Sequence, residues 1–119
     1  MLKNFKILIS LLAFIIPAVF SYAQEDTLCP ELVDKKAKKL YSEALENFKD
    51  RRFLDATKLF KEVLTYEPYC GQCYFFLGMI NFKKADYNLK AAQTYFEKSV
   101  EICPDFDIYV YYYLGAIYY

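Results

Sequence analysis

The chain has 119 residues, enough for one small domain, and its 15 basic and 15 acidic side chains leave no net charge. This balance does not favour a nucleic-acid partner, which would require a basic stripe. Because the chain has no histidine and only three glycines, it has no histidine-based catalytic triad, no histidine metal ligand and no glycine-rich phosphate loop. We therefore predict a protein with no catalytic activity and no cofactor.

The first predicted element is an N-terminal export signal. Lys3 and Lys6 precede residues 7–20, which are apolar apart from one serine, and small residues around Ala23 are typical of a signal-peptidase site. The pattern predicts a signal peptide over residues 1–23, cleaved after Ala23. The mature protein is then expected to be periplasmic or secreted, with no membrane contact. An uncleaved N-terminal membrane anchor is the alternative.

An internal repeat follows the signal. The segment LYSEALENF, which starts at Leu40, aligns with YFFLGMINF, which starts at Tyr74, 34 residues later. The segment ATKLFKEVLTYEP, which starts at Ala56, aligns with AQTYFEKSVEICP, which starts at Ala92, 36 residues later. A period in this range is typical of stacked helix hairpins. We predict an all-α fold, an α-solenoid of antiparallel helix hairpins.

Small and aromatic residues are expected to form the contact within each hairpin. Ala44 or Gly78 on the first helix allows the second helix to approach, and Phe60 or Phe96 fills the space beside it. A proline then ends the second helix. Because the offset between the copies grows by two, we expect a two-residue insertion near 88–91, seen as an extra half-turn of helix or a wider loop.

The repeat also predicts how the chain is divided. The segments are the signal peptide (1–23), a lead-in with the start of the first helix (24–36), repeat one (37–70), repeat two (71–106) and the first helix of an incomplete third repeat (107–119). The third copy shows Tyr111 and Leu114-Gly115 before the match stops in mid-hairpin. We therefore expect the sequence to be the front portion of a longer protein with further repeats or another domain.

These residues resemble the tetratricopeptide repeat family. The second copy carries the motif best, in Tyr74, Leu77-Gly78, Phe82, Asp86-Tyr87, Ala92, Phe96, Ser99 and Pro104. The first copy departs from it at Arg51, which replaces the glycine of the turn and is expected to strain it. The resemblance implies about two and a half stacked repeats and a scaffold that binds proteins or peptides.

The resemblance further implies a concave groove lined by the first helix of each hairpin. Carried over by position, the lining residues are Tyr41, Leu45, Phe48, Phe75, Met79, Phe82, Tyr109 and Tyr112. Such an aromatic lining suits an extended or amphipathic segment of a protein or peptide partner. Aromatic residues at helical spacing are also typical of a helical core, so packing is the competing interpretation, above all for Phe48 and Phe82.

Four cysteines, Cys29, Cys70, Cys73 and Cys103, follow the signal peptide, and an even number in an exported chain favours disulfides. Because the helices of a hairpin are antiparallel, all four thiols are expected at one pole of the array. The preferred pairing joins Cys73 to Cys103 and Cys29 to Cys70, out of three pairings that the sequence permits.

The spacing Cys70-Gly71-Gln72-Cys73 has two competing interpretations. One is a thiol redox site, because a cysteine at a helix N-terminus is activated as a thiolate. The other is a zinc site that uses all four cysteines. Thioredoxin-like enzymes place a strand before this motif, whereas a helix ending at Pro68 is predicted here, which disfavours the redox site. An oxidising compartment disfavours the zinc site. Both therefore remain alternatives to structural disulfides.

Overall fold

The computed structural model describes residues 29–83 and 88–119, and this part of the chain is all-α. Its helices are α1 (Lys35–Lys49), α2 (Phe53–Tyr66), α3 (Gly71–Lys83), α4 (Leu89–Ile102) and α5 (Tyr109–Tyr118). The predicted signal peptide lies outside the described residues, as do Asp86 and Tyr87 of the repeat motif. Among the described helices, none is long and apolar enough to cross a membrane.

The first two helices, α1 and α2, form an antiparallel hairpin. Asp34 caps α1, because its carboxylate accepts a hydrogen bond from the backbone N–H of Ala37 at 2.9 Å. The backbone N–H groups of Val33 and Asp34 both donate to one carboxylate oxygen of Glu67, so the start of α1 lies beside the end of α2. In the turn, Arg51 has a φ of 62°, the left-handed conformation that glycine adopts without strain. The strain expected from Arg51 in this turn is confirmed.

The next two helices, α3 and α4, form a second antiparallel hairpin. The Ser99 hydroxyl near the end of α4 donates to the Gly71 carbonyl at the start of α3, at 2.9 Å. Asn88 caps α4 by accepting a hydrogen bond from the backbone N–H three residues later. The predicted two-residue insertion near 88–91 adjoins residues 84–87, which lie outside the described residues.

Matching positions of the two hairpins are buried alike. The buried pairs are Ala37 with Gly71, Ala44 with Gly78, Ala56 with Ala92, Phe60 with Phe96, and Val63 with Ser99. The contact is close in the second hairpin, where a Cβ added to Gly78 would lie 2.6 Å from the ring of Phe96. The backbone of α3 therefore packs directly on this ring, which explains why the position carries glycine.

The central helix, α3, is apolar on nearly all sides and belongs to two buried clusters. The cluster shared with α1 and α2 contains Leu77 and Ile80, and the cluster shared with α4 and α5 contains Phe75 and Met79. Phe76, half-buried, packs against both clusters. A helix that is apolar all round requires cover on every side, and its neighbours in this fold supply that cover.

The same ring stacking recurs where each hairpin meets the helix that follows it. Phe76 of α3 stacks on Phe60 of α2, with ring centroids 5.3 Å apart and planes inclined by 4°. Tyr113 of α5 stacks on Phe96 of α4, with centroids 5.6 Å apart and planes inclined by 8°. Helix α5 therefore sits on the second hairpin much as α3 sits on the first.

Candidate protein-binding surface

Helix α5 presents one side to the core and four tyrosines to solvent, among them Tyr109 and Tyr112. Val110 and Leu114 are buried against α4 and belong to the second cluster. Tyr109 and Tyr112 lie three residues apart, about one helical turn, and are 62% and 70% exposed. These two residues of the predicted groove are therefore accessible to a partner.

A chain of aromatic contacts connects Tyr112 to α3. Tyr112 meets Tyr113 edge to face at 5.5 Å between ring centroids, and Tyr113 meets Phe82 in the same way at 4.9 Å. Phe82 is half-buried, so part of its ring remains accessible. We call Phe82, Tyr109 and Tyr112 the tyrosine surface.

Three further residues of the predicted groove, Tyr41, Leu45 and Phe48, are half-buried on α1. The ring of Tyr41 packs edge to face against Phe60 at 5.9 Å and Phe76 at 6.4 Å. Burial of its hydroxyl raises the pKa of Tyr41 to about 12, because the phenolate would lose solvation. Phe48 contacts Phe76 at 5.1 Å. All three residues pack against the first cluster and keep some exposed surface.

The prediction that Phe75 and Met79 line an open groove is wrong, because both side chains are buried. Phe75 packs edge to face against Phe106 at 5.4 Å, and both residues share their cluster with Val110 of α5. The segment that enters α5 therefore covers this part of α3. The sequence prediction missed Phe106, which is the last residue of the predicted second repeat and follows the last residue of the repeat motif, Pro104.

The four cysteines form two disulfides at one pole, but the preferred pairing is wrong. Cys29 is bonded to Cys103 and Cys70 to Cys73, with Cα–Cα distances of 4.9 and 5.3 Å. Cys70 directly precedes α3 and Cys73 lies in its first turn, where the backbone N–H of Cys73 also donates to the Cys70 sulfur at 3.2 Å. Proximity within one turn therefore outweighs the longer-range partners that the repeat arrangement suggested.

The lead-in segment, residues 29–34, crosses this pole and is attached at both ends. Cys29 is joined to Cys103 at the end of α4, and the backbone at Val33 and Asp34 is bound by Glu67 at the end of α2. Glu67 and Cys103 hold matching positions of the two hairpins, 36 residues apart. The segment thus joins the two hairpins at corresponding points.

Helix α5 also carries an uncovered glycine, Gly115, that the sequence prediction did not use. A Cβ added to Gly115 would meet no atom within 4 Å, whereas the same addition at Gly78 meets the ring of Phe96. Tyr111 and Tyr118, four and three residues from Gly115, are half or more exposed. We call Tyr111, Gly115 and Tyr118 the Gly115 notch. The sequence feature that could have indicated this notch is the Leu114-Gly115 pair, because it matches Leu77-Gly78.

Glu97 of α4 holds one edge of this notch in place. The Tyr118 hydroxyl donates to its carboxylate, and the Gln93 amide donates to the same group at 3.0 Å. These hydrogen bonds favour the ionised form and hold the pKa of Glu97 below its ordinary value, with Tyr118 contributing most.

A scan against protein-family models and searches of curated proteins and of solved structures found no match to this chain.

Proposed function

We propose that the chain is an exported scaffold, built as a solenoid of tetratricopeptide-like hairpins, that binds a protein or peptide segment on the tyrosine surface. The observation that carries the proposal is the exposure of Tyr109 and Tyr112 on a helix whose other side is packed into the core.

Support for the solenoid comes from repeated packing. The two hairpins bury small and aromatic residues at matching positions, and α5 stacks on the second hairpin through the same kind of ring contact that joins α3 to the first. An arrangement in which each unit leaves a face for the next favours a repeat array.

The chemistry of the tyrosine surface favours a binding role. Tyrosine supplies a large apolar ring and a hydroxyl at low cost in conformational entropy, and tyrosine is enriched among the residues that dominate binding energies. The surface itself consists of phenylalanine and tyrosine side chains and contains no acidic or basic residue. A segment with apolar anchors, either extended or helical, is the partner that this chemistry fits.

A peptide-display selection on the immobilised mature protein tests the proposal. For a selected peptide, Tyr112→Asp should weaken binding at least about tenfold, measured by fluorescence anisotropy, because a charge replaces a central aromatic anchor. The matched control is Tyr69→Asp, since Tyr69 is also a tyrosine and is 73% exposed, but lies between α2 and α3. Equal loss of binding in both variants, or in neither, would rule out the tyrosine surface.

A second candidate function is thiol exchange, which the Cys70–Cys73 bond favours because it joins the two cysteines of the C-x-x-C motif. Against it, both side chains are almost completely buried, and disulfide exchange requires access to a sulfur. The zinc alternative requires thiolate ligands, and all four sulfurs are in disulfides.

Peptide mapping without reductant distinguishes the pairings. Trypsin places Cys70 and Cys73 in one peptide, residues 62–83, while Cys29 and Cys103 fall in separate peptides. The described pairing therefore leaves peptide 62–83 free with an internal bond and links the other two. The pairing expected from the sequence would join all three peptides. A redox role requires in addition that a mild reductant open the Cys70–Cys73 bond first.

A further inference from the structure

We propose that the Gly115 notch is a docking site for an amphipathic helix of a partner protein that carries an alanine and, four residues later, a phenylalanine. This site adjoins the tyrosine surface, because Gly115 follows Tyr112 by three residues, but the proposal does not depend on the function proposed for that surface.

The side of α3 that corresponds to this notch is covered by α4. The α3 side that faces α4 contains Gly71, Tyr74 and Gly78, at intervals of three and four residues. Gly71 accepts the Ser99 hydrogen bond, the ring of Tyr74 lies 6.4 Å from that of Tyr95 with planes inclined by 29°, and Gly78 contacts the ring of Phe96. The antiparallel helix α4 therefore packs its Phe96 ring against Gly78.

Helix α5 reproduces this side of α3 but without a covering helix in the described residues. Tyr111, Gly115 and Tyr118 stand 37 residues after Tyr74, Gly78 and Asn81. The residues of α5 that face the core keep the same correspondence: Val110, Tyr113, Leu114 and Ile117 match Cys73, Phe76, Leu77 and Ile80, and all eight pack in the buried clusters. Because the core-facing side is matched residue by residue, the neighbouring side is oriented as it is in α3.

The chemistry of the occupant follows from the two helices that already fill this role. Helix α2 brings Ala56 and Phe60, and α4 brings Ala92 and Phe96, each pair four residues apart and fully buried. Their outer sides are polar, as the exposed residues Lys61, Glu62, Glu97 and Lys98 show. An amphipathic helix with an Ala-x-x-x-Phe stripe therefore matches the site in shape and in polarity.

The notch adjoins the tyrosine surface on α5. Tyr111, Gly115 and Tyr118 follow the i, i+4, i+7 spacing of one helix face, and Tyr112 lies three residues before Gly115 at the edge of that face. The substitutions that test the notch are therefore placed at Gly115, and the control substitution is placed outside α5.

A peptide copied from α4 is the probe. Residues 88–102, NLKAAQTYFEKSVEI, carry both Ala92 and Phe96, and a hydrocarbon staple between positions 90 and 94, both exposed in α4, holds the peptide helical. Fluorescence anisotropy should show saturable binding to the mature protein. Phe96→Ala in the peptide should weaken binding at least about tenfold, because the ring that fills the notch is lost.

Two substitutions in the protein give the matched comparison. Gly115→Leu fills the notch and should weaken binding at least about tenfold, whereas Gly115→Ala should retain it, since Ala44 holds this position in the first hairpin. Circular dichroism confirms that each variant is folded, and Tyr69→Asp, a substitution away from α5, should leave binding of this peptide unchanged.

Three outcomes would overturn the proposal. The first is the absence of saturable binding, and the second is equal binding by the Gly115→Leu variant. The third is a concentration-dependent dimer, seen by analytical ultracentrifugation, that Gly115→Leu converts to monomer, because the occupant would then be a second copy of this chain. A photoreactive group at position 96 of the peptide should crosslink to α5, and crosslinking elsewhere contradicts the assignment.

Discussion

Gly78 and Gly115 occupy matching positions of α3 and α5 but have opposite surroundings. The added Cβ would lie 2.6 Å from the buried Phe96 ring at Gly78 and in open space at Gly115. Phe96 has no room to retreat, because Tyr113 stacks on its ring. The same substitution is therefore expected to act in opposite directions at the two sites.

Gly78→Ala should lower the free energy of unfolding by about 1–2 kcal/mol, because the cost of overpacking exceeds the gain in helix propensity. Gly115→Ala should raise it by up to about 1 kcal/mol, because only the propensity changes. Urea denaturation followed by circular dichroism measures both. If both variants are stabilised to the same degree, the close contact between Gly78 and Phe96 is contradicted.

Because Tyr41 is partly buried, we expect the protein to lose stability at alkaline pH. Burial raises its pKa from 10.0 to about 12, so the folded state retains the phenolic proton where the unfolded state releases it. The stability that comes from this difference is fully present below the pKa of Tyr41 in the unfolded state. It is lost as the pH rises from about 10 towards 12. Tyr41→Phe keeps the ring contacts and removes the titration.

The measurement is the free energy of unfolding of both proteins between about pH 9 and pH 11. The free energy of unfolding of wild type, relative to that of the Tyr41→Phe variant, should be about 1 kcal/mol lower near pH 11 than near pH 9. All other titrating groups are common to the two proteins and cancel in the comparison. Parallel pH profiles would show that Tyr41 is as well solvated in the folded state as in the unfolded state.

At the scale of the helices, the sequence predicts packing within a hairpin better than packing between hairpins. The alignment of Phe60 with Phe96 and of Ala44 with Gly78 located four buried residues, because an internal repeat reports which side of each helix is covered. Phe75 and Met79 were misassigned to an open surface, because Phe106 covers them from a connecting segment outside the motif.

The cysteines show the same limit. The antiparallel hairpins predicted that all four lie at one pole. The structure agrees, because Gly71, between Cys70 and Cys73, lies directly against Cys103, which is bonded to Cys29. The pairing was not predictable, because it depends on the path of residues 29–34 across that pole. Glu67 directs this path by binding the backbone of Val33 and Asp34, an interaction with no signature in the sequence.

For the whole molecule, the Cys29–Cys103 bond is the connection of longest range. It joins residues 74 positions apart, whereas the Cys70–Cys73 bond closes a separation of 3. In the chain-entropy model, the longer loop contributes about 4 kcal/mol and the shorter one about 2 kcal/mol. A loss of about 4 kcal/mol is a large fraction of the stability of a small domain.

We therefore expect Cys29→Ala with Cys103→Ala to lower the free energy of unfolding by about 4 kcal/mol, measured by chemical denaturation. Glu67→Ala removes the other attachment of the lead-in and should cost about 1–3 kcal/mol with the disulfide intact, because two hydrogen bonds to its carboxylate are lost. Without the disulfide, Glu67→Ala should cost much less, since a lead-in released at Cys29 frays from the pole. Additive losses in this double-mutant cycle would show that the two attachments act independently, and that residues 29–34 do not join the two hairpins as one unit.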